Sequence, residues 1–144
     1  LLIYQFFSGE IIMSTQTAVS IFMGSKSDLP VVQAAADTLA EFNIPYNMYI
    51  LSAHRTPEEV VKTIKESENN GVKVFIAAAG MAAHLAGAIA AQTIKPVLGI
   101  PLAGGDLDGM DALLATVQSQ KESQWQHLLL ENLELLTLQF VQHK

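Results

Sequence analysis

Short runs of β-branched and apolar residues alternate with segments of helical period, and this alternation constrains the fold more than any other feature. The predicted strands cover Ala18 to Met23, Tyr46 to Leu51, Val72 to Ala77 and Pro96 to Ile100. Strands separated by helices form parallel sheets, because a parallel connection needs a crossover long enough to hold a helix. The sequence therefore predicts one α/β domain with a parallel sheet covered by helices.

Capping residues mark the helix boundaries. Asp28 is the predicted N-cap of the first helix, and Thr56 with Glu59 predicts a capping box at the start of the second, which ends at Gly71. The predicted helices cover residues 29–42, 57–70, 82–93 and 107–118.

Composition narrows the functional classes. The absence of cysteine excludes disulfides and a zinc-thiolate site. The 8 Lys+Arg and 14 Asp+Glu residues give a net charge of −6, which disfavours a broad nucleic-acid surface. The 15% of charged residues is below the roughly 25% of typical domains, so we expect contacts with other subunits.

The first residues have neither the basic start of a signal peptide nor the ~20 apolar residues of a membrane span. We therefore expect a cytoplasmic protein with no membrane partner. We also expect Met13 to be the true start, residues 1–12 to be a non-native leader, and residues 13–144 to form a single domain. An N-terminal strand or arm is the alternative for residues 1–12.

Three unusual turns follow the first three predicted strands, at the edge of the sheet where ligands bind in such folds. The first offers the hydroxyls of Ser25 and Ser27 and backbone amides at a helix start, which suits a phosphate. A capped strand-to-helix turn explains the same residues. Asp28 is either a cap or a ligand of ribose hydroxyls.

The second and third turns carry two histidines. His54 is a proton carrier, since imidazole titrates near neutrality, and Arg55 offers forked donors to an anion. The third turn, Ala78 to His84, has small apolar walls that leave room for a flat ligand. Tight helix packing and a structural His84 are its alternative explanation. Gly104-Gly105-Asp106 predicts a flexible loop that is either functional or a linker, and we favour the linker.

Taken together, Gly-Ser-Lys-Ser-Asp at 24–28, Ser-Ala-His-Arg-Thr at 52–56 and Gly-Met-Ala-Ala-His-Leu-Ala-Gly at 80–87 resemble the PurE family, the N5-carboxyaminoimidazole ribonucleotide mutases of bacterial purine synthesis. The similarity covers about Ala18 to Gln118. It implies a three-layer, flavodoxin-like α/β fold, a homo-octamer, a small ribonucleotide substrate, and a reaction without cofactor or metal.

The resemblance also implies roles for individual residues. His54 matches the histidine that protonates the departing nitrogen and later takes the proton from ring carbon C4. The positions that match substrate-binding residues are Ser25, Ser27, Asp28, Ser52 and Arg55 near phosphate and ribose, and Gly80, Met81, Ala82 and His84 in the loop over the base.

Two residues depart from the family pattern. Many members have Gly at Ala78 and Pro at Ala86, and a methyl at Ala78 would crowd the ligand loop if that residue needs a positive φ.

Three alternatives to the mutase stay open. They are a carboxylase of aminoimidazole ribonucleotide that uses CO2, an inactive nucleotide- or phosphate-binding remnant, and an interaction module without a ligand.

The resemblance stops after Gln118, where the family has a Met-Pro-x-Gly-x-Pro-Val strand. Deletion of one base near codon 119 converts such a segment into residues 119–134, and family-like sequence resumes at Leu135. We therefore expect an aberrant tail that leaves strand 4 as an exposed edge, with poor octamer assembly and low activity. The alternative is an amphipathic helix that carries Trp125, Leu128, Leu129 and Leu136 on one face.

Overall fold

The computed structural model describes residues 16–118, 125–129 and 137–139, so Met13 and the predicted leader lie outside the described residues. The strands are β1 (Val19–Met23), β2 (Tyr46–Ile50), β3 (Val74–Gly80), β4 (Val97–Leu102), β5 (Trp125–Leu129) and β6 (Thr137–Gln139). The helices are α1 (Leu29–Glu41), α2 (Pro57–Asn69), α3 (Leu85–Ala90) and α4 (Met110–Val117), and one 3-10 turn (Lys26–Asp28) precedes α1.

The strands form one sheet in the order β2-β1-β3-β4-β5-β6. The first five strands of that order run parallel, and β6 pairs antiparallel with β5. The order 2-1-3-4-5 is that of flavodoxin-like folds, so the predicted fold class is confirmed. Within the described ranges, no helix is both long and apolar enough to cross a membrane.

Apolar side chains from β1 point to both faces of the sheet because successive residues of a strand alternate. Ile21 and Met23 belong to a buried cluster that includes Val32 of α1. Phe22 belongs to a second cluster, which includes Ile64 of α2 and residues of α3. Helices therefore cover both faces, and the sheet is the central layer of three.

Several local predictions need correction. Thr56 is the N-cap of α2, but the predicted capping box with Glu59 is wrong. The Thr56 hydroxyl instead accepts from the Ser52 amide at 3.0 Å and donates to the Ser52 carbonyl at 3.2 Å. The predicted strand 72–77 is displaced to Val74–Gly80, because its pairing with β4 continues to Gly80 opposite Leu102.

The two later helices are shorter than predicted. Residues 82–93 contain a helix only over Leu85–Ala90, and residues 107–118 only over Met110–Val117. Gly109, at φ +86°, sets the start of α4 because this left-handed conformation cannot continue a right-handed helix.

The C-terminal region departs from both expectations for it. Residues 125–129 form β5 rather than a helix, and β5 pairs in parallel with β4 from Val97 opposite Trp125 to Gly99 opposite His127. The expectation that strand 4 is an exposed edge is therefore wrong. In the frameshift hypothesis, β5 occupies the position where the restored reading frame has Val-Ala-Thr-Leu-Ala.

Candidate active site

An open pocket of about 700 Å³ lies at the carboxyl ends of the central strands. The chain leaves β1 toward β2 on one side and reaches β3 on the other, so the strand order reverses between β1 and β3. Ligands bind at such reversal points in open α/β sheets. Every predicted site residue lines this pocket: Ser25, Ser27, Asp28, Ser52, His54, Arg55, Gly80, Met81, Ala82 and His84.

The first turn is held by its own hydrogen bonds. The Asp28 carboxylate accepts from the Ser25 amide at 2.8 Å, and the Ser25 hydroxyl accepts from the Ser27 amide at 3.3 Å. Asp28 is also the N-cap residue of α1, but its side chain does not cap that helix. The Ser27 hydroxyl donates to the Ser25 hydroxyl at 2.9 Å. Since these two amides and the Ser27 hydroxyl already have acceptors, the Ser25 hydroxyl is the donor of this turn that is best placed to bind an anion.

The second turn is tied to the first by Arg55. One guanidinium nitrogen, Nη2, donates to the Gly24 carbonyl at 2.6 Å, and the Arg55 amide donates to the Ser52 hydroxyl at 3.3 Å. A guanidinium has five N–H donors in a rigid fork, so further donors are available to an anion in the pocket. Arg55 thus fixes the loop geometry and brings a positive charge to the site.

The second turn is tied to the third by a pair of histidines. His54 Nε2 and His84 Nδ1 are 3.0 Å apart, within hydrogen-bond distance, and the two rings meet edge to face with centroids 4.9 Å apart. Both side chains are exposed to solvent. His54 therefore stands in an accessible pocket with one ring nitrogen already in contact with a partner.

Backbone strain in the third turn falls on Met81 and not on Ala78. Ala78 lies in β3, fully buried, and is not among the residues with positive φ, so the strain expected there does not occur. Met81 has a φ of +55° and a side chain that is 60% exposed at the pocket. Met81 also lies close to the next loop, since a Cβ added to Gly105 would lie 3.3 Å from its Cγ.

The loop after β4 also lines the pocket, and its glycines are absent from the predicted site residues. Leu102, Ala103, Gly104 and Gly105 line the cavity, which favours the functional alternative over the linker for the two glycines. The available signal was their position directly after strand 4, at the same sheet edge as the other turns. In the part of the chain that the structure describes, no group of three His, Asp or Glu side chains could hold a metal ion.

The sequence matches the family described as AIR carboxylase over residues 18–133. The chain belongs to the AIR carboxylase family. This match covers all three motif turns and extends to residue 133, beyond the predicted end of the resemblance at Gln118. AIR carboxylase membership and the flavodoxin-like strand order therefore support each other.

Several relatives in this family are named. An N5-carboxyaminoimidazole ribonucleotide mutase of Pyrococcus horikoshii is 50% identical over 105 residues, which is 73% of this chain and 59% of the relative. The mutase of Haemophilus influenzae is 46% identical over 109 residues, 76% of this chain and 66% of the relative. A phosphoribosylaminoimidazole carboxylase of Candida glabrata is 50% identical over 100 residues, 69% of this chain and 18% of the relative.

A solved structure shares the architecture. The crystal structure of Treponema denticola PurE superposes with a TM-score of 0.72 at 29% identity, covering 78% of this chain and 71% of that one. By contrast, the chain spans less than two thirds of the length of the two mutases named above and 18% of the Candida glabrata carboxylase.

Proposed function

We propose that this protein is an isomerase of purine biosynthesis, a mutase that converts N5-carboxyaminoimidazole ribonucleotide into 4-carboxy-5-aminoimidazole ribonucleotide. The observation that carries the proposal is the meeting of the three motif turns in one pocket, with His54 and Arg55 both among its lining residues. Named mutases that are 46% and 50% identical to this chain support the same reaction.

His54 is the proposed acid and base. Decarboxylation breaks the bond between the exocyclic nitrogen and the carboxylate carbon, and the nitrogen then needs a proton. Capture of the released CO2 by C4 forms a carbon–carbon bond, and the C4 proton must leave. One imidazole serves both steps, because it gives a proton in the first and takes one back in the second.

The remaining pocket residues are proposed to bind the nucleotide. Arg55 and the Ser25 and Ser27 hydroxyls offer donors to the phosphate, and Asp28 and Ser52 offer polar groups to the ribose. The small residues from Gly80 to Ala82 leave space for the flat base. Closure of this loop would retain CO2, which a wet and open pocket would lose. The proposed reaction uses no cofactor and no metal.

The proposed assembly is a homo-octamer. Support comes from an apolar stripe along α4 and the loop before it, where large side chains are 41–61% exposed. Its members are Leu107, Met110, Leu114 and Val117. Other copies of this chain would cover the stripe, and light scattering of the purified chain measures the assembly. A stable monomer of both the present chain and the chain with the restored frame would contradict the octamer. Since purine nucleotides are made in the cytoplasm, we also propose that location.

Turnover of the two possible substrates tests the function. The chain is expected to convert N5-carboxyaminoimidazole ribonucleotide, and His54→Asn is expected to lower kcat by roughly 10²- to 10⁴-fold while nucleotide binding persists. Undiminished turnover by His54→Asn would exclude the proposed role of His54.

A carboxylase is the second candidate, because relatives from Candida glabrata and Ogataea methanolica carry that name at 50% and 46% identity. Turnover of aminoimidazole ribonucleotide with CO2, but not of the N5-carboxylated substrate, would favour it. Binding of aminoimidazole ribonucleotide with neither activity would favour an inactive remnant. Failure of this nucleotide to raise the melting temperature would favour an interaction module without a ligand.

The tail carries a proposal of its own. We infer that residues 119–134 are read from a shifted frame, because one base restores a family-like Met-Pro-Lys-Gly-Ile-Pro-Val segment. Resequencing the gene from the codon of Val117 through that of Leu138 tests this inference. If the deletion is real, we expect the chain with the restored frame to assemble better and turn over faster than the present one. Equal assembly and turnover would refute that expectation.

A further inference from the structure

The His54–His84 contact limits how protons can be placed on the two rings. His54 Nε2 and His84 Nδ1 are 3.0 Å apart, so one hydrogen lies between them and the other nitrogen offers a lone pair. Two neutral arrangements satisfy this contact. Either both rings carry their proton on Nε2, or both carry it on Nδ1. The tautomer of one ring therefore sets the tautomer of the other.

The contact also fixes how many protons the pair holds. If both rings were imidazolium, two N–H groups would face each other across 3.0 Å, and the hydrogen bond would be lost. The pair therefore accepts one additional proton while the contact persists. If His54 is the charged ring, its Nε2–H donates to a neutral His84, and the second N–H of His54 is at Nδ1.

The surroundings of the two imidazole rings offer few other hydrogen-bond partners. Among the described residues, neither ring has another side-chain hydrogen bond. The charged side chains that line the same pocket are Asp28, which accepts from the Ser25 amide, and Arg55, which donates to the Gly24 carbonyl. The elements that flank His84, strand β3 and helix α3, contain no charged residue.

We propose that His84 is a positioning residue that holds His54 in one orientation and one tautomer through its Nδ1. While the contact is kept, Nδ1 of His54 is the nitrogen that gives and takes the proton. His54 then passes from imidazolium to neutral base and back without rotating its ring or exchanging its Nε2 proton. This deepens the proposed mutase function, and its kinetic part rests on that function.

Nuclear magnetic resonance tests the positioning role without any need for activity. Long-range nitrogen–proton spectra of the labelled chain report the protonation of each ring nitrogen, and His54→Asn and His84→Asn assign the signals among the 4 histidines. In the wild type, we expect neutral His54 and His84 both to carry their proton on Nε2, with little averaging; both protons on Nδ1 would contradict the proposed role of His54 Nδ1. In His84→Leu, we expect the His54 signals to move toward an average of both tautomers.

The conservative variant separates positioning from packing. Asn places a polar amide atom near the position of the histidine Nδ1, so His84→Asn is expected to restore one tautomer of His54. His84→Gln places its amide near the position of Nε2. We therefore expect it to restore the single tautomer of His54 less fully than His84→Asn does. Gln92→Leu, an exposed polar-to-apolar change outside the pocket, is the matched control.

Kinetics supply the second readout. His84→Leu is expected to lower kcat roughly 10- to 100-fold with little change in KM, since a misplaced base slows the chemical step more than binding. His84→Asn should recover most of that loss, and Gln92→Leu should match the wild type. Identical His54 spectra in the wild type and His84→Leu would overturn the inference. An inactive wild type with the expected spectra would overturn the mutase function and leave the positioning role intact.

Discussion

Gly109→Ala should destabilise the protein strongly, and the structure gives the size of the effect. Gly109 has a φ of +86°, and a Cβ at this position would lie 2.8 Å from Ala103 Cα and 3.2 Å from Ala103 N. The left-handed conformation costs an L-residue about 1–2 kcal/mol, and forcing an extra carbon into a packed site costs about 1–3 kcal/mol. The free energy of unfolding should fall by about 2–5 kcal/mol.

Gly104→Ala is the matched control for this substitution. A Cβ at Gly104 meets nothing within 4 Å, and Gly104 is not among the glycines with positive φ. Alanine there should leave the free energy of unfolding unchanged or raise it by about 0.4–1 kcal/mol, because the unfolded chain loses freedom.

Urea denaturation of the wild type and of both variants measures their free energies of unfolding. If the m-value is unchanged, a shift of the midpoint reports a change in stability. Unfolding of Gly109→Ala at the same urea concentration as the wild type would refute the predicted clash. Destabilisation of Gly104→Ala as large as that of Gly109→Ala would refute it as well. Because Ala103 lines the pocket, Gly109→Ala should also weaken nucleotide binding.

Three further outcomes are expected. Arg55→Lys loses the forked geometry of the guanidinium and its contact with the Gly24 carbonyl. Loss of one charge-assisted hydrogen bond costs about 1.5–3 kcal/mol. Calorimetry should therefore show nucleotide binding that is roughly 10- to 100-fold weaker. Phe22→Ala removes a fully buried ring and should cost about 3–5 kcal/mol of unfolding free energy in the same urea assay. Burial raises the pKa of the Tyr46 hydroxyl, and the nearby Asp37 carboxylate raises it further. The stability linked to Tyr46 is therefore present below its ordinary pKa of about 10 and is lost as the pH rises through the raised value. Asp37→Asn should lower the pH at which Tyr46 ionises in an absorbance titration, and an unchanged titration would exclude the charge effect.

The sequence predicted the four central strands and the pocket for one physical reason. Apolar strands interrupted by helices imply a parallel sheet, and the carboxyl ends of parallel strands share an edge, so the turns that contain Ser25, His54 and Gly80 had to lie together. The contact between His54 and His84 was beyond reach, because it depends on strand order and on ring orientation. Neither is encoded by the local pattern.

The errors have equally local causes. A capping box requires the Thr56 side chain to turn toward its own helix, but the Ser52 backbone competes successfully for that hydroxyl. A glycine pair such as Gly104-Gly105 has the same pattern whether it is a linker or a close approach to a ligand. The segment around Trp125 fits a helical period, yet pairing with β4 makes it a strand, since tertiary partners override the period of a short apolar run.

Adjacent residues of the second turn form hydrogen bonds with partners on two different loops. Arg55 contacts Gly24, 31 positions earlier, and His54 contacts His84, 30 positions later. An insertion between Ser52 and Thr56 would disturb both contacts at once. Over evolutionary time this segment should therefore keep its length even where its neighbours drift.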